Sequence, residues 1–462
     1  MALHRHESGP RAQAKLGMRP QFELPAEVAE VTRLRLPPRG IGPDTAYQVV
    51  HDELLLDGNA RLNLATFVTT WMDRQADMLM AECASKNLID KDEYPQTAEL
   101  EHRCVNILAD LWNASGAEEA SGCSTTGSSE ACMLGGLALK WRWRQRRLTA
   151  GAPADRPNLV MGANVQVVWE KFCRYWDVEA RLVPVGPATH LTAETAVAHC
   201  DENTIGVVAI LGSTFDGAYE PVLDIAGALD ALAAGGGPDV PIHVDAASGG
   251  FVAPFIDPDL VWDFRVPRVA SINASGHKYG LVYPGVGWVV WRDAACLPED
   301  LVFKVDYLGG EMPTFSLNFS RPGSQVAAQY YNFLRLGFDG YRRVQQACRG
   351  NAQWLANQIH HLGPFELVSK GDDIPAFAFR IKEGVPYTVY DVSDAIRGRG
   401  WLIPAYRMPP HLEDVAVLRI VVRDDMSRDL AAVLVEDLRR CVERLERSPQ
   451  QPSDQARTAF HH

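Results

Sequence analysis

From about residue 60 onward, short apolar runs that stop on small or polar residues alternate with longer stretches of helical period. NLVMGAN, IGVVAIL, PIHVDAASGG and GVGWVVW are the runs. Strands covered on both faces read as unbroken apolar segments, so this alternation predicts a parallel or mixed sheet flanked by helices. The pattern changes after the helix-like segment QVAAQYYNFLRLGFDGYRRVQQACRGNAQWLANQIHHLG, beyond which FELVSKGDD, AFAFRIKEG and VAVLRIVVRDD read as antiparallel strands with helices between them. The expected organisation is an N-terminal arm over 1–60, a large domain over 61–348, a small α+β domain over 349–448 and a tail over 449–462. The first 45 residues are rich in Pro, Arg and Gly without a sustained period, and SPQQPSDQARTAFHH at the other end is polar and broken by prolines.

Composition narrows the class. Hydrophobic residues make up 47% and charged residues 22% of the 462, which excludes a disordered scaffold. Lys and Arg number 45 against 58 Asp and Glu, a net charge of −13, so phosphate backbones and anionic membranes are repelled and neither nucleic acid nor a membrane is expected as partner. No run approaches the roughly 20 apolar residues of a membrane helix and the N-terminus lacks a secretory core, which predicts a cytoplasmic protein. The nine cysteines are scattered and form no CxxC pair, the usage of small buried apolar residues in a reducing compartment, with no metal site expected.

Three segments carry candidate chemistry. PIHVDAASGGFVAP ends a buried strand on Asp245, where open α/β sheets meet their ligands, although an aspartate there also serves as a cap. SINASGHKYG places Lys278 after His277 in a small-residue loop; such a lysine is either merely solvated or an amine that forms an imine with a carbonyl. GCSTTGSSEACMLGGLALKWRWRQRR opens a helix near Ser128 from a Gly/Ser/Thr loop, a ready anion site that is neither a P-loop nor a Rossmann turn. Its basic end, KWRWRQRR, complements the helix dipole while the tryptophans pack inward. A phosphate cradle, a carboxylate for a pyridine nitrogen and an imine-forming lysine together are what pyridoxal 5'-phosphate needs.

The residues resemble a known family at this point. Ser271-Ile272, five residues and then Lys278 match the signature of the group II PLP-dependent decarboxylases. HVDAASGGFVAPF, SGHKYG, NFSRPGSQV, DEYPQTAELE and GSSEACMLGG look like the glutamate decarboxylases of bacteria and plants, over about 45 to 445. The resemblance implies fold type I of the PLP-dependent transferases (aspartate aminotransferase-like), an α/β architecture with a mainly parallel seven-stranded sheet plus a small C-terminal α+β domain. It also implies a carboxy-lyase that converts L-glutamate to 4-aminobutanoate and carbon dioxide, consuming a proton; the alternative is decarboxylation of another amino acid.

Position by position, the resemblance implies that Lys278 binds the cofactor aldehyde and Asp245 its ring nitrogen. Ser128, Ser129, Thr214, Ser275 and His277 would surround the ring and phosphate, Gln166 and Ala247 would face the two sides of the ring, and Ser320 would reach in from a neighbouring subunit. Thr66, Phe67, Asn87 and Asp90 would surround the distal carboxylate, the last two from the partner chain unless they are helix-end caps, and Arg423 would orient the α-carboxylate, its alternative being a surface pair with Asp424 or Asp425. His277 is also a proton relay in this reading, or a ring stacked on the substrate side. Tyr307, beside Gly309-Gly310, is a gate or proton donor. Glu170 receives no role. The assembly is at least a homodimer, hexameric in some bacterial relatives, and lacks the calmodulin-binding extension of plant relatives. His462, ending the segment Ala459-Phe460-His461-His462, is expected either to plug the site near neutral pH or to belong to a plain tail with two adventitious histidines.

Overall fold

The computed structural model describes residues 34–37, 39–306 and 312–447. Tyr307, Gly309, Gly310 and the tail with His462 lie outside the described residues. Two units divide the chain, Met1–Ala60 and Arg61–His462. In the first, a helix spans Pro43–Leu54 and begins with proline, whose missing N–H would be unpaired in a first turn anyway.

The second unit is built on a seven-stranded sheet of β1 (Ser121–Thr125), β2 (Asn158–Gly162), β3 (Glu179–Val183), β4 (Thr204–Ile210), β5 (Ile242–Asp245), β6 (Val269–Ala274) and β7 (Gly287–Trp291). Their order is β1-β7-β6-β5-β4-β2-β3. Strands β3, β2, β4, β5 and β6 pair in parallel, and β7 runs antiparallel to β6 and β1, so the sheet is mainly parallel as the alternation requires. β2, β4, β5, β6 and β7 are buried along their whole length.

Helix α1 (Pro95–Leu111) packs on β1, and α2 (Ser128–Thr149) packs on β6 and β7. Each sheet face is closed by its own apolar cluster. One contains Trp112, Val207, Ala209, Val290 and Tyr341, the other Leu134, Trp169, Val208, Ile210 and Val289. The basic end of α2 folds as expected in part: Trp143 is buried and its indole donates to Glu202 O at 3.0 Å, whereas Trp141 is half-buried with Lys140 5.8 Å above its ring. All nine cysteines are unpaired thiols, seven of them buried.

Helix α3 (Val167–Tyr175) and helix α4 (Val222–Ala234) follow β2 and β4. Strands β8 (Phe303–Val305) and β9 (Met312–Thr314) pair antiparallel on either side of 307–311. Helix α5 (Ser324–His360) then runs through the point where the apolar pattern changes. It is broken only at Gly337, whose φ of 57° and ψ of −176° a side chain would not tolerate. Beyond it, β10 (Phe365–Leu367), β11 (Ala376–Ile381), β12 (Ala405–Arg407) and β13 (Ala416–Val421) form an antiparallel sheet in the order β10-β11-β13-β12. Helices α6 (Val389–Arg397) and α7 (Arg428–Arg447) cover it around a separate core of Phe365, Phe377, Trp401 and Leu434.

Candidate active site

Asp245 is the last residue of β5, in the centre of the sheet, in register with Ile210 of β4 and Asn273 of β6. A carboxylate buried there needs donors, and it has them. Trp169 Nε1 donates to Oδ2 at 2.8 Å; Asn273 Nδ2 and the Ala247 N–H donate to Oδ1 at 3.1 and 3.2 Å. The Cys132 thiol lies 3.7 Å from Oδ2, a weak donor whose own ionisation is pushed up by burial and then by Asp245.

Lys278 follows β6 in a turn whose backbone is pinned by Thr69: the Thr69 hydroxyl donates to Lys278 O at 2.7 Å and its N–H to His277 O at 2.8 Å. The Lys278 ammonium donates to Ser248 Oγ at 3.2 Å and lies 5.2 Å from the Phe67 ring centre. Burial lowers its pKa, Asp245 opposes the shift and Arg419 adds to it, so the neutral amine is more accessible than in a solvated lysine. His277 Nδ1 accepts from the N–H groups of Gly285 and Val286, both at 3.3 Å. Its proton therefore sits on Nε2, and burial, reinforced by Lys278, holds the ring neutral with a pKa pushed down to about 4.

The third component is the start of α2. The helix enters from Gly127 without a side-chain cap, leaving first-turn N–H groups open. Ser275 Oγ donates to Ser128 Oγ at 2.7 Å, which ties this turn to the lysine loop. The turn lies so close to β7 that a Cβ at Gly287 would collide with Gly127 and stand 2.6 Å from Ser128 N. Glu130 fastens the turn from below, accepting from Thr126 N at 2.8 Å, from Leu317 N and Asn318 N at 3.1 Å and from Asn318 Nδ2 at 3.0 Å.

These parts enclose one cavity of about 300 Å3. Ser128, Ser129, Gln166, Thr214, Asp245, Ala247, Ser275, His277 and Lys278 all line it. Gln166 is also the cap of α3, its Oε1 accepting from Val168 N at 2.6 Å. Thr66, Phe67, Asn87, Asp90, Ser320 and Arg423 are not on its wall. Phe67 reaches the site through its ring beside Lys278. Arg423 is buried rather than at the surface, and its guanidinium donates to Asn63 O at 2.6 Å, Thr66 O at 2.9 Å and Asp425 Oδ2 at 3.3 Å. Asn87 and exposed Ser320 meet each other, with Nδ2 to Oγ at 3.4 Å. Glu170 is exposed, as a helix-surface charge should be.

Sequence reading misses Trp169, Asn273, Ser248, Glu130 and Asn164. Trp169 lies one helical turn from Gln166, and Asn273 is, with Ser271, one of two polar residues in an otherwise small and apolar strand; both are signals of a shared face.

A protein-family model described as the pyridoxal-dependent decarboxylase conserved domain matches residues 39–382. The chain is 58% identical to a glutamate decarboxylase of Aliivibrio fischeri over 421 residues, 90% of each chain. It is 51% identical to glutamate decarboxylase 5 of Arabidopsis thaliana, over 91% of this chain and 86% of that one. The solved glutamate decarboxylase of Lactobacillus brevis superposes with a TM-score of 0.89 at 46% identity, covering 93% of this chain and 98% of that one. The chain belongs to the pyridoxal-dependent decarboxylase family, with the type I fold, and pyridoxal phosphate is its cofactor. The cavity fits that group. Asn164 Oδ1 is a buried acceptor without a partner on the wall, the start of α2 offers uncapped donors, and Asp245 Oδ2 takes one full-strength bond and so keeps capacity for another donor.

Proposed function

We propose that this chain is a glutamate α-decarboxylase, converting L-glutamate and a proton to 4-aminobutanoate and carbon dioxide. The observation that carries the reading is the placement of Lys278 and Asp245 on one cavity whose far wall is the open start of α2. Ser128, Ser129, Ser275 and the first-turn N–H groups would hold the phosphate, Asp245 the ring nitrogen, and Gln166, Ala247 and Thr214 the ring. When bound, the cofactor supplies an aldehyde for the substrate amine and a ring that withdraws electrons from Cα. Lys278 Nζ, with its lowered pKa, would deliver the one proton that replaces the departing carboxylate at that carbon. His277 packs over the α2 turn as a neutral ring, which favours positioning over proton relay across the pH range above about 4. Arg423 fastens the Thr66–Phe67 segment beside Lys278 and in this reading orients the α-carboxylate.

The remaining assignments are ours as well. Asn87, Asp90 and Ser320 lie off the cavity wall of their own chain, which supports a homodimer whose partner supplies them. Two sheets with separate cores support a large domain over 61–348 and a small one over 349–448. Nine unpaired cysteines support a cytoplasmic location; among the described residues no helix is long and apolar enough to cross a membrane. Incubation with cofactor and L-glutamate, L-aspartate or aromatic amino acids tests the substrate. Amine release from glutamate above all others is expected, and preference for another substrate would overturn the assignment.

A further inference from the structure

Behind Asp245 the core contains three further polar side chains, His243 on β5 and Ser271 and Asn273 on β6, each at most 1% exposed. Their bonds form an unbroken chain. Ser271 Oγ lies 2.7 Å from His243 Nδ1, His243 Nε2 lies 2.8 Å from Asn273 Oδ1, and Asn273 Nδ2 lies 3.1 Å from Asp245 Oδ1. The direction follows from chemistry. Asn273 gives its NH2 to the carboxylate, so its Oδ1 can only accept; His243 therefore carries its proton on Nε2, and its Nδ1 accepts the Ser271 hydroxyl. All three donors point toward Asp245, and Trp169 Nε1 and the Ala247 N–H complete the set. A protonated Asp245 would bring its O–H against one of these donors.

The imidazole is clamped on both sides. A Cβ at Gly135 would stand 2.5 Å from His243 Cε1, so α2 presses its bare backbone on the ring, and Trp169 packs edge-on with centroids 5.1 Å apart. The helix that offers its N-terminus to the cavity thus also fixes the relay. Three buried polar side chains in central strands are costly where apolar residues would pack as well, which argues for a role beyond stability.

We propose that His243, with Ser271 and Asn273, is a positioning residue that sets the strength and direction of Asp245 as acceptor for the cofactor's ring nitrogen. The inference rests on the reading that Asp245 meets that nitrogen. His243→Leu breaks the chain; His243→Gln can accept from Ser271 and donate to Asn273; Ser271→Ala removes only the first link. The full-length variants are purified without cofactor, and melting temperature, cofactor dissociation constant by dialysis, absorption spectrum of the bound cofactor, kcat and KM are measured. His243→Leu is expected to weaken cofactor binding by roughly tenfold, the scale of one hydrogen bond to a charged group. It should also lower kcat with KM for glutamate little changed, while His243→Gln restores most of both. If His243→Leu does not fold, Ser271→Ala decides, with the same direction expected. Folded variants with wild-type cofactor binding, spectrum and kcat, beside an Asp245→Asn control that loses them, would overturn the relay alone. An Asp245→Asn protein indistinguishable from wild type would overturn the reading beneath it.

Discussion

The ring of Phe67 is held between two cations, with Lys278 Nζ 5.2 Å and the Arg419 guanidinium carbon 4.7 Å from its centre. Arg419 also donates to Ala65 O at 2.6 Å and to Thr214 O, so one side chain joins the segment before Phe67 to the loop that carries Thr214. Both cations gain from the aromatic face, and the arginine contributes to the lowered pKa of the lysine after burial. Phe67→Ala should therefore destabilise the protein by about 3 kcal/mol, the usual cost of deleting a buried aromatic ring. It should also reduce kcat/KM, because the lysine loses its platform. Urea unfolding and steady-state kinetics check this; a variant with unchanged stability would show that the ring does not pack as described.

Lys278→Ala should lower turnover by about a thousandfold or more while the apoprotein keeps its melting temperature, since the amine that exchanges protons and anchors the aldehyde is gone. The α2 turn and Asp245 remain, so cofactor should still bind but exchange readily on dialysis. Turnover close to wild type would remove Lys278 from the chemistry.

Much of this was legible in the sequence, and the unread parts share a cause. β2, β4 and β7 stand out because full burial gives them continuous apolar runs, and β5 (IHVD) because its apolar residues end on Asp245 before a run of small residues. β1 (SGCST) and β6 (VASINA) do not, because Ser124 and Asn273 are polar in order to serve Arg321 and Asp245. Asp245, Lys278 and the start of α2 were found from chemistry and local context. Trp169 was not, since 76 residues separate it from Asp245 and no spacing rule links a tryptophan indole to a distant carboxylate. Arg423 beside two aspartates suggests a surface pair; only the fold shows it buried against the Asn63 and Thr66 carbonyls.

His277 provides a pH test with a definite sign. Its pKa is about 4 in the folded chain and about 6.5 when unfolded, so between those values the unfolded state binds the extra proton. The stability it contributes is complete above about pH 6.5 and is lost as pH falls toward 4, the loss reaching roughly 2 to 3 kcal/mol at pH 4.5. His277→Gln, which can still accept from Gly285 and Val286, should make the apoprotein less acid-sensitive. Urea midpoints at pH 7.5 and 4.5 measure it, and equal acid losses in the two proteins would contradict a buried neutral ring.

Gly287→Ala probes the anion site without removing a polar group. The new methyl would stand 2.6 Å from Ser128 N and collide with Gly127, so the start of α2 must move away from β7. Weaker binding of cofactor is expected, with inorganic phosphate competing less well for the apoprotein. Unchanged affinities for both, measured by dialysis, would place the phosphate elsewhere.

The shared site can be tested by mixing two inactive proteins. In Asn87→Ala the lysine is intact but the proposed partner contribution is lost, and in Lys278→Ala the reverse holds. If Asn87 serves the opposite subunit, a mixed dimer has one site containing Lys278 from the first chain and Asn87 from the second, and another site lacking both. Unfolding and refolding an equimolar mixture with cofactor makes half the dimers mixed, so activity should return to about a quarter of wild type per site, in keeping with two-fold symmetry. The Asn87–Ser320 contact makes Ser320→Ala a weaker version of the same test, because the two side chains present one patch. If Asn87 acted within its own chain, each mixed dimer would combine one site lacking the amide with one lacking the lysine, and mixing would restore nothing.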